Sequence, residues 1–324
     1  MTKKSLLVVP LAPEETGLLT IAELDQLLAC ELVLFEHPDH PLTAKLRQAG
    51  VECQVVTGEP DVQSPDLALV AEPGSPLVLD LARKGARVSS GPTAVPDDLT
   101  AAHAAPVLRR AGAALAGAVA VMARLRSDDG CPWDQEQTHA SLKLHLIEEA
   151  HEVIEAIDSL GPADLAEELG DVLLQVLFHS RLAEQEGSFD VAGVAAGLTA
   201  KLVNRHPHVF GEVAVTGAGE VLTNWEVNKV SEKARSDHFE GIPPSLPALL
   251  KAAKVQKRAA GLGFATSEAE ARSSLEEVLA GPIETEDIGE ALFWLVALAR
   301  AQGVDPESAL SRHLEGFRAS LQTP

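Results

Sequence analysis

The chain has 324 residues, 46% hydrophobic and 23% charged, enough apolar material for two or three domains of about 100 to 200 residues and too much for a disordered tail. A formal charge of −22 makes phosphate backbones and anionic lipid surfaces poor partners, and 3% aromatics with no Tyr argue against a nucleic-acid stacking platform.

The N-terminus starts basic, but its apolar run is short and is interrupted by Pro13, Glu14 and Glu15, so no signal peptide is expected. No run approaches about 18 apolar residues, so no membrane span is expected either. Cys30, Cys53 and Cys131 are odd in number and lack CxxC spacing, which points away from disulfides and zinc and toward a reducing cytoplasm.

Residues 1–90 read as α/β. The apolar runs Leu6–Val9, Leu32–Phe35 and Leu67–Val70 are strand-like, and Leu18–Leu28 is helical. Residues 87–106 contain Ser89, Ser90, Gly91, Pro92, Pro96 and Pro106, a turn-rich linker after which Pro106 can open a helix running to about Arg126. The remainder reads as all-α. Thr138 is placed to cap a helix to Leu160, Pro162 to start one ending near Gly187, and Val191–Asn204 forms a third. Beyond the boundary Gly241–Pro247, helices are expected over Glu268–Leu279 and Thr285–Gln302. The expected domains are 1–95 (α/β), 96–240 (helical) and 241–324 (helical).

Charge is concentrated in the middle. Residues 106–240 carry 11 basic and 22 acidic side chains, against 7 and 15 before and 8 and 11 after. Between Lys143 and Arg181 there is no Lys or Arg, yet there are nine carboxylates. Helical spacing puts Glu148, Glu152 and Glu155 on one face with Glu149 at its border. Glu168 and Asp171, three apart, stand just ahead of the apolar run Val172–Phe178 and are expected to face inward. An antiparallel hairpin across Gly161-Pro162 brings Glu149 and Glu152 opposite Glu168 and Asp171. Unit charges ~4 Å apart repel by roughly 4 kcal/mol at an effective dielectric of ~20, so such a cluster needs protons or divalent cations. Hard oxygen donors favour Mg²⁺, with Mn²⁺ as a substitute. A solvated acidic face is the plain alternative. Against it, no basic i,i+4 partner neutralises these acids.

Glu148-Glu149-x-x-Glu152, then fifteen residues, then Glu168-x-x-Asp171 is similar to the EExxE...ExxD signature of the MazG proteins. These belong to the all-α nucleoside triphosphate pyrophosphohydrolase superfamily. Cys131-Pro132-Trp133-Asp134, Gln137-Thr138-His139, Arg205-His206-Pro207-His208-Val209-Phe210 and Asn224-Trp225-Glu226 extend the resemblance in order. It implies Mg²⁺-dependent cleavage of a nucleoside triphosphate to a monophosphate and pyrophosphate. Carried over by residue, it implies Glu149, Glu152, Glu168 and Asp171 as metal ligands and Glu148 as their support or the orienter of a water. It further implies Lys201 and Arg205 as triphosphate contacts and Trp225 as a base platform. His206 and His208 are read as structural.

Residues 241–324 resemble a second MazG repeat, with an eroded motif: Glu276-Glu277 is followed by Ala280 where a third Glu would stand, and Asp287-x-x-Glu290 replaces Glu-x-x-Asp. Residues 1–95 resemble the front part of a tetrapyrrole methylase, through Leu19-Thr20, His40-Pro41-Leu42 and Pro73-Gly74-Ser75-Pro76-Leu77. The leading expectation is a cytoplasmic, homodimeric hydrolase of nucleoside triphosphates that binds neither nucleic acid nor membrane. Two other classes stay open: a methyltransferase with a regulatory helical domain, and a non-catalytic nucleotide-sensing module.

Overall fold

A computed structural model of the chain describes residues 5–64, 66–91, 93, 95–159, 161–221 and 239–322. They fall into two units, divided between Val221 and Leu222.

The first unit begins with five parallel strands, β1 (Leu7–Pro10), β2 (Leu32–Phe35), β3 (Glu52–Val55), β4 (Leu67–Ala71) and β5 (Arg87–Val88), in the order β3-β2-β4-β1-β5. Leu7 stands opposite Ala68, and Leu32 opposite Leu67. Both faces are apolar, as a parallel sheet covered on two sides requires. Leu7, Val9, Phe35 and Val70 pack on one face with Leu27 of α1 (Ile21–Leu28) and Leu42 and Leu46 of α2 (Leu42–Gln48). Leu6, Val8, Leu69 and Val88 pack on the other with Val78 and Leu81 of α3 (Pro76–Arg83). The helical stretch expected over Leu18–Leu28 is helix from Ile21 on. A 3₁₀ turn, Pro13–Leu18, precedes α1, which starts at a reciprocal capping box between Thr20 and Glu23.

Pro106 does not open a helix. It lies inside α4 (Asp98–Leu125), which Asp97 caps by accepting from the Thr100 N–H at 2.7 Å. Ala101, Ala102 and Ala105 are buried, and Ala101 and Ala102 join the second face of the sheet, so packing of the first turns outweighs the hydrogen bond that an interior proline removes. α4 is also long and apolar enough, by length and composition, to cross a membrane, which the sequence reading did not expect. Its interior carries Arg109, buried against Glu23 of α1, and its far end places Met122 among Leu142, Leu177, Phe178 and Leu182.

The helical part continues with α5 (Pro132–Glu136), α6 (Lys143–Ser159), α7 (Pro162–Gln185), α8 (Val191–Arg205) and the short α9 (Pro207–Phe210). α6 and α7 form the expected hairpin. Thr138 and Ser141 exchange side-chain and backbone hydrogen bonds at 3.0 and 3.1 Å, but they close a turn, and α6 itself starts five residues after Thr138.

The second unit has four described helices where two were expected: α10 (Ala248–Gly261), α11 (Glu268–Leu279), α12 (Thr285–Ala301) and α13 (Pro306–Gln322). α11 opens with a Ser267–Glu270 capping box and pairs with α12. Buried Gln256 of α10 donates to the Phe293 carbonyl of α12 at 2.8 Å.

Candidate active site

The acidic site stands on the α6/α7 hairpin. α6 places Glu149 and Glu152 three apart, and α7 places Glu168 and Asp171 three apart, each pair on one helical face. Antiparallel pairing brings one oxygen from each of Glu149, Glu152 and Glu168 within 4.8 Å of the others. Among the described residues, these are the three side chains placed to share one metal ion. Asp171, one turn beyond Glu168, adds its charge to both Glu149 and Glu168.

The crowding of like charges shows in the carboxyl groups. Desolvation, a hydrogen bond shared with Glu152 and the charges of Asp171 and Glu152 push the Glu149 carboxyl above the usual range, and Gln175 partly offsets this. Desolvation and the charges of Glu152, Asp171, Glu167 and Asp164 push the Glu168 carboxyl up as well. The donor set is therefore all hard oxygen and negatively charged, with no Lys or Arg in the chain between Lys143 and Arg181, which suits Mg²⁺ or Mn²⁺.

Gln175 was not singled out in the sequence. It follows Asp171 by four residues, on the face that carries Glu168, and is 4% exposed. Its side chain hydrogen-bonds Glu149, while its Oε1 has no hydrogen-bond partner. A buried acceptor left free beside three carboxylates fits a site that takes up a hydrated cation, whose water can donate to it. The signal in the sequence is one polar residue inside the apolar run Val172–Phe178.

Glu148 points along α6 to His145, whose Nδ1 lies 3.2 Å from the Glu148 carboxylate. His145 in turn meets the edge of the half-exposed Trp133 ring, at 6.3 Å between centroids. The Cys131–Gln137 segment, which holds α5, is tied to α7 through Arg126. Arg126 bonds the Asp134 carbonyl and, at 2.8 Å, Gln185 of α7, and its guanidinium covers the Phe178 ring. Gly130 has no room for a side chain, because a Cβ there would collide with the Leu125 carbonyl. Lys201 and Arg205 lie four apart on α8, which packs on α7. The His206 ring is bonded to the Leu202 carbonyl at 2.7 Å and meets His208 edge to face. Trp225, with Asn224 and Glu226, lies outside the described residues.

A family model described as the MazG nucleotide pyrophosphohydrolase domain matches residues 137–210, a span that contains all five acids of the motif. The chain is 41% identical over 220 residues to the nucleoside triphosphate pyrophosphohydrolase/pyrophosphatase MazG of Thermotoga maritima, covering 65% of this chain and 85% of that one. It is 39% identical over 214 residues to the nucleoside triphosphate pyrophosphohydrolase of Escherichia coli K12, covering 61% and 81%. It is also 43% identical over 221 residues to the uncharacterized protein YabN of Bacillus subtilis, covering 61% and 43%. With its acids paired across one helical hairpin and more than four-fifths of the Thermotoga and Escherichia relatives aligned, the chain belongs to the MazG family.

Proposed function

We propose that the chain is a Mg²⁺-dependent nucleoside triphosphate pyrophosphohydrolase, cleaving between the α and β phosphates to release a monophosphate and pyrophosphate. The observation that carries this reading is the convergence of Glu149, Glu152 and Glu168 within 4.8 Å, with Asp171 and Gln175 beside them. The same activity named for the Thermotoga and Escherichia relatives supports it.

In this reading Glu149, Glu152, Glu168 and Asp171 hold the metal. When bound, Mg²⁺ lowers the pKa of a coordinated water and offsets charge that develops on the phosphates during in-line attack. Glu148, kept in place by His145, orients the attacking water toward the α-phosphorus. Lys201 and Arg205 bind the triphosphate chain, and Trp225 stacks on the base. Exposed apolar side chains on α6 and α7, including Ile147, Ile154, Ile157 and Leu169, support a homodimer that covers the hairpin. Its three free cysteines and its net charge suit a cytoplasmic protein that acts on the nucleotide pool and binds neither nucleic acid nor membrane. Residues 1–95 are read as a truncated methylase-like unit without methyl transfer of its own.

The test is product analysis across a panel of nucleoside triphosphates with Mg²⁺ and with excess chelator. Monophosphate and pyrophosphate in equal amounts, lost with chelator, are expected. Diphosphate with orthophosphate would overturn the cleavage site, and binding without any product would make the chain a nucleotide sensor.

A further inference from the structure

A second concave site lies on the α/β part. The chain leaves β1 at Pro10 toward the face that carries α1, and leaves β4 at Ala71 toward the face that carries α3. Two adjacent parallel strands whose chains part at their carboxyl ends open a crevice there, the usual place for a ligand in such sheets. Here the crevice has a volume of about 280 Å³. The 3₁₀ turn after β1 supplies Glu14 and Glu15, the loop after β4 supplies Glu72 and Pro73, and α4 supplies Pro106 and Arg110.

Its charge is unbalanced. Three carboxylates line it against a single cation, and that cation, Arg110, is largely exposed, meets one oxygen of Glu15 at 3.3 Å and donates to the Pro106 carbonyl at 2.7 Å. The neighbouring Arg109 is turned inward to Glu23. Glu15 is 7% exposed and its Oε2 has no hydrogen-bond partner, a costly arrangement for a buried carboxylate. The floor is rigid: Glu36, just past β2, accepts from the Glu72 N–H at 2.9 Å and from the Ser75 hydroxyl at 2.6 Å. Among the described residues, no three acids converge here as they do on the α6/α7 hairpin. The charge is instead spread over two walls, with the proline rings of Pro73 and Pro106 also lining the crevice.

We propose that this crevice binds an alkyl polyamine, with ammonium groups on Glu15, Glu14 and Glu72 and a methylene stem along the prolines. A narrow chain with separated positive charges matches separated carboxylates, whereas a single metal ion needs them together. The terminal carboxylate torsion of a glutamate is soft, so Glu15 can turn its unbonded oxygen to an ammonium group at little cost.

The experiment is equilibrium dialysis of labelled spermidine against the full chain at physiological ionic strength, with saturating Mg²⁺ to occupy the acidic hairpin. One saturable site is expected. Glu15→Gln, and separately the exposed-side pair Glu14→Gln with Glu72→Gln, should each weaken it about tenfold or more. The charge-matched surface pair Glu276→Gln with Glu315→Gln should leave it unchanged. If Glu15→Gln fails to fold, the exposed-side pair still decides. Equal affinity in the crevice pair and the surface pair would reduce the binding to general attraction by an acidic protein and overturn the proposal. So would competition by Mg²⁺ at that site.

Discussion

Nη1 of Arg109 donates to Glu23 at 3.1 Å while its Nε donates to the Pro10 carbonyl at 3.0 Å, so one side chain of α4 fastens α1 and the end of β1. Both partners are 4% exposed. Removing one charge from such a pair leaves the other buried and alone, so Arg109→Met should cost about 3 to 5 kcal/mol, read as a fall in the denaturation midpoint. The double change Arg109→Met with Glu23→Leu should recover most of that loss.

The same pair sets an acid limit. Burial raises the Glu23 carboxyl, but the bonds from Arg109, Ser89 and the Thr20 backbone outweigh it and hold the group below the usual glutamate range. A depressed folded-state pKa contributes stability that is complete above the unfolded value, about 4.3, and is lost as pH falls through the folded value. Denaturant melts from pH 6 toward pH 3 should therefore decline more steeply for the wild type than for the double variant. Parallel profiles would show that the pair does not titrate with unfolding.

His139 and His179 present a second titration. Their Nδ1 atoms are 2.7 Å apart and the rings are parallel within 1°, a hydrogen bond that needs at least one neutral ring. Burial and the charge of His139 lower the pKa of His179. The folded state then binds fewer protons than the unfolded one between the lowered value and about 6.5, so stability falls as pH drops from 6.5. His179→Phe should flatten that slope in melts between pH 7.5 and 5.5, and an unchanged slope would place the proton uptake elsewhere.

The acidic hairpin has the opposite sign. With the carboxyl groups of Glu149 and Glu168 raised, metal-free protein should lose stability as pH rises through their folded-state values, and Mg²⁺ should restore it. Glu152→Ala and Asp171→Ala should each lower turnover by about two orders of magnitude or more, since even outer partners of a metal ligand cost ~10- to 100-fold. Their melting temperatures in chelator should stay level or rise, because each removes a repelling charge. A marked fall with activity retained would make these acids structural.

How much of this could be read from the sequence depended on how local the cause was. Glu149, Glu152, Glu168 and Asp171 follow from helical spacing and one turn at Gly161-Pro162, both visible in the chain. The apolar runs of β1, β2 and β4 were equally visible, while β3 (Glu-Cys-Gln-Val) and the two-residue β5 owe their strand state to pairing with a neighbour. Pro106 misled because propensity places proline at a helix start, whereas burial of Ala101, Ala102 and Ala105 decides the matter here. α10 and α13 were missed for a related reason: they are held by partners distant in the chain, such as the Leu250 N–H of α10 bonded to Glu307 of α13. Gln175 matters only through a side chain on another helix, which no spacing rule reveals.

The last prediction separates the α6/α7 hairpin from the α11/α12 pair, whose sequence resembles an eroded copy of the same motif. Glu276 and Glu277 lie on α11 and Asp287 and Glu290 on α12, and the two helices do pair. Yet among the described residues no three of these acids come close enough to share an ion, as Glu149, Glu152 and Glu168 do. Two local reasons are plain. Ala280 stands where a third glutamate would, and Asp287 is committed to the cap of α12, accepting from the Glu284 N–H at 2.8 Å, while Glu290 accepts from the Trp294 indole N–H at 3.1 Å. Carboxylates used for caps and indole bonds are poor candidates for an octahedral site. Under saturating Mg²⁺, Glu149→Gln should therefore remove nearly all turnover, and Glu277→Gln should leave it within about twofold, the range of an exposed surface change. Equal losses from the two substitutions, with the oligomeric state unchanged, would place chemistry on the α11/α12 pair as well as on the α6/α7 hairpin.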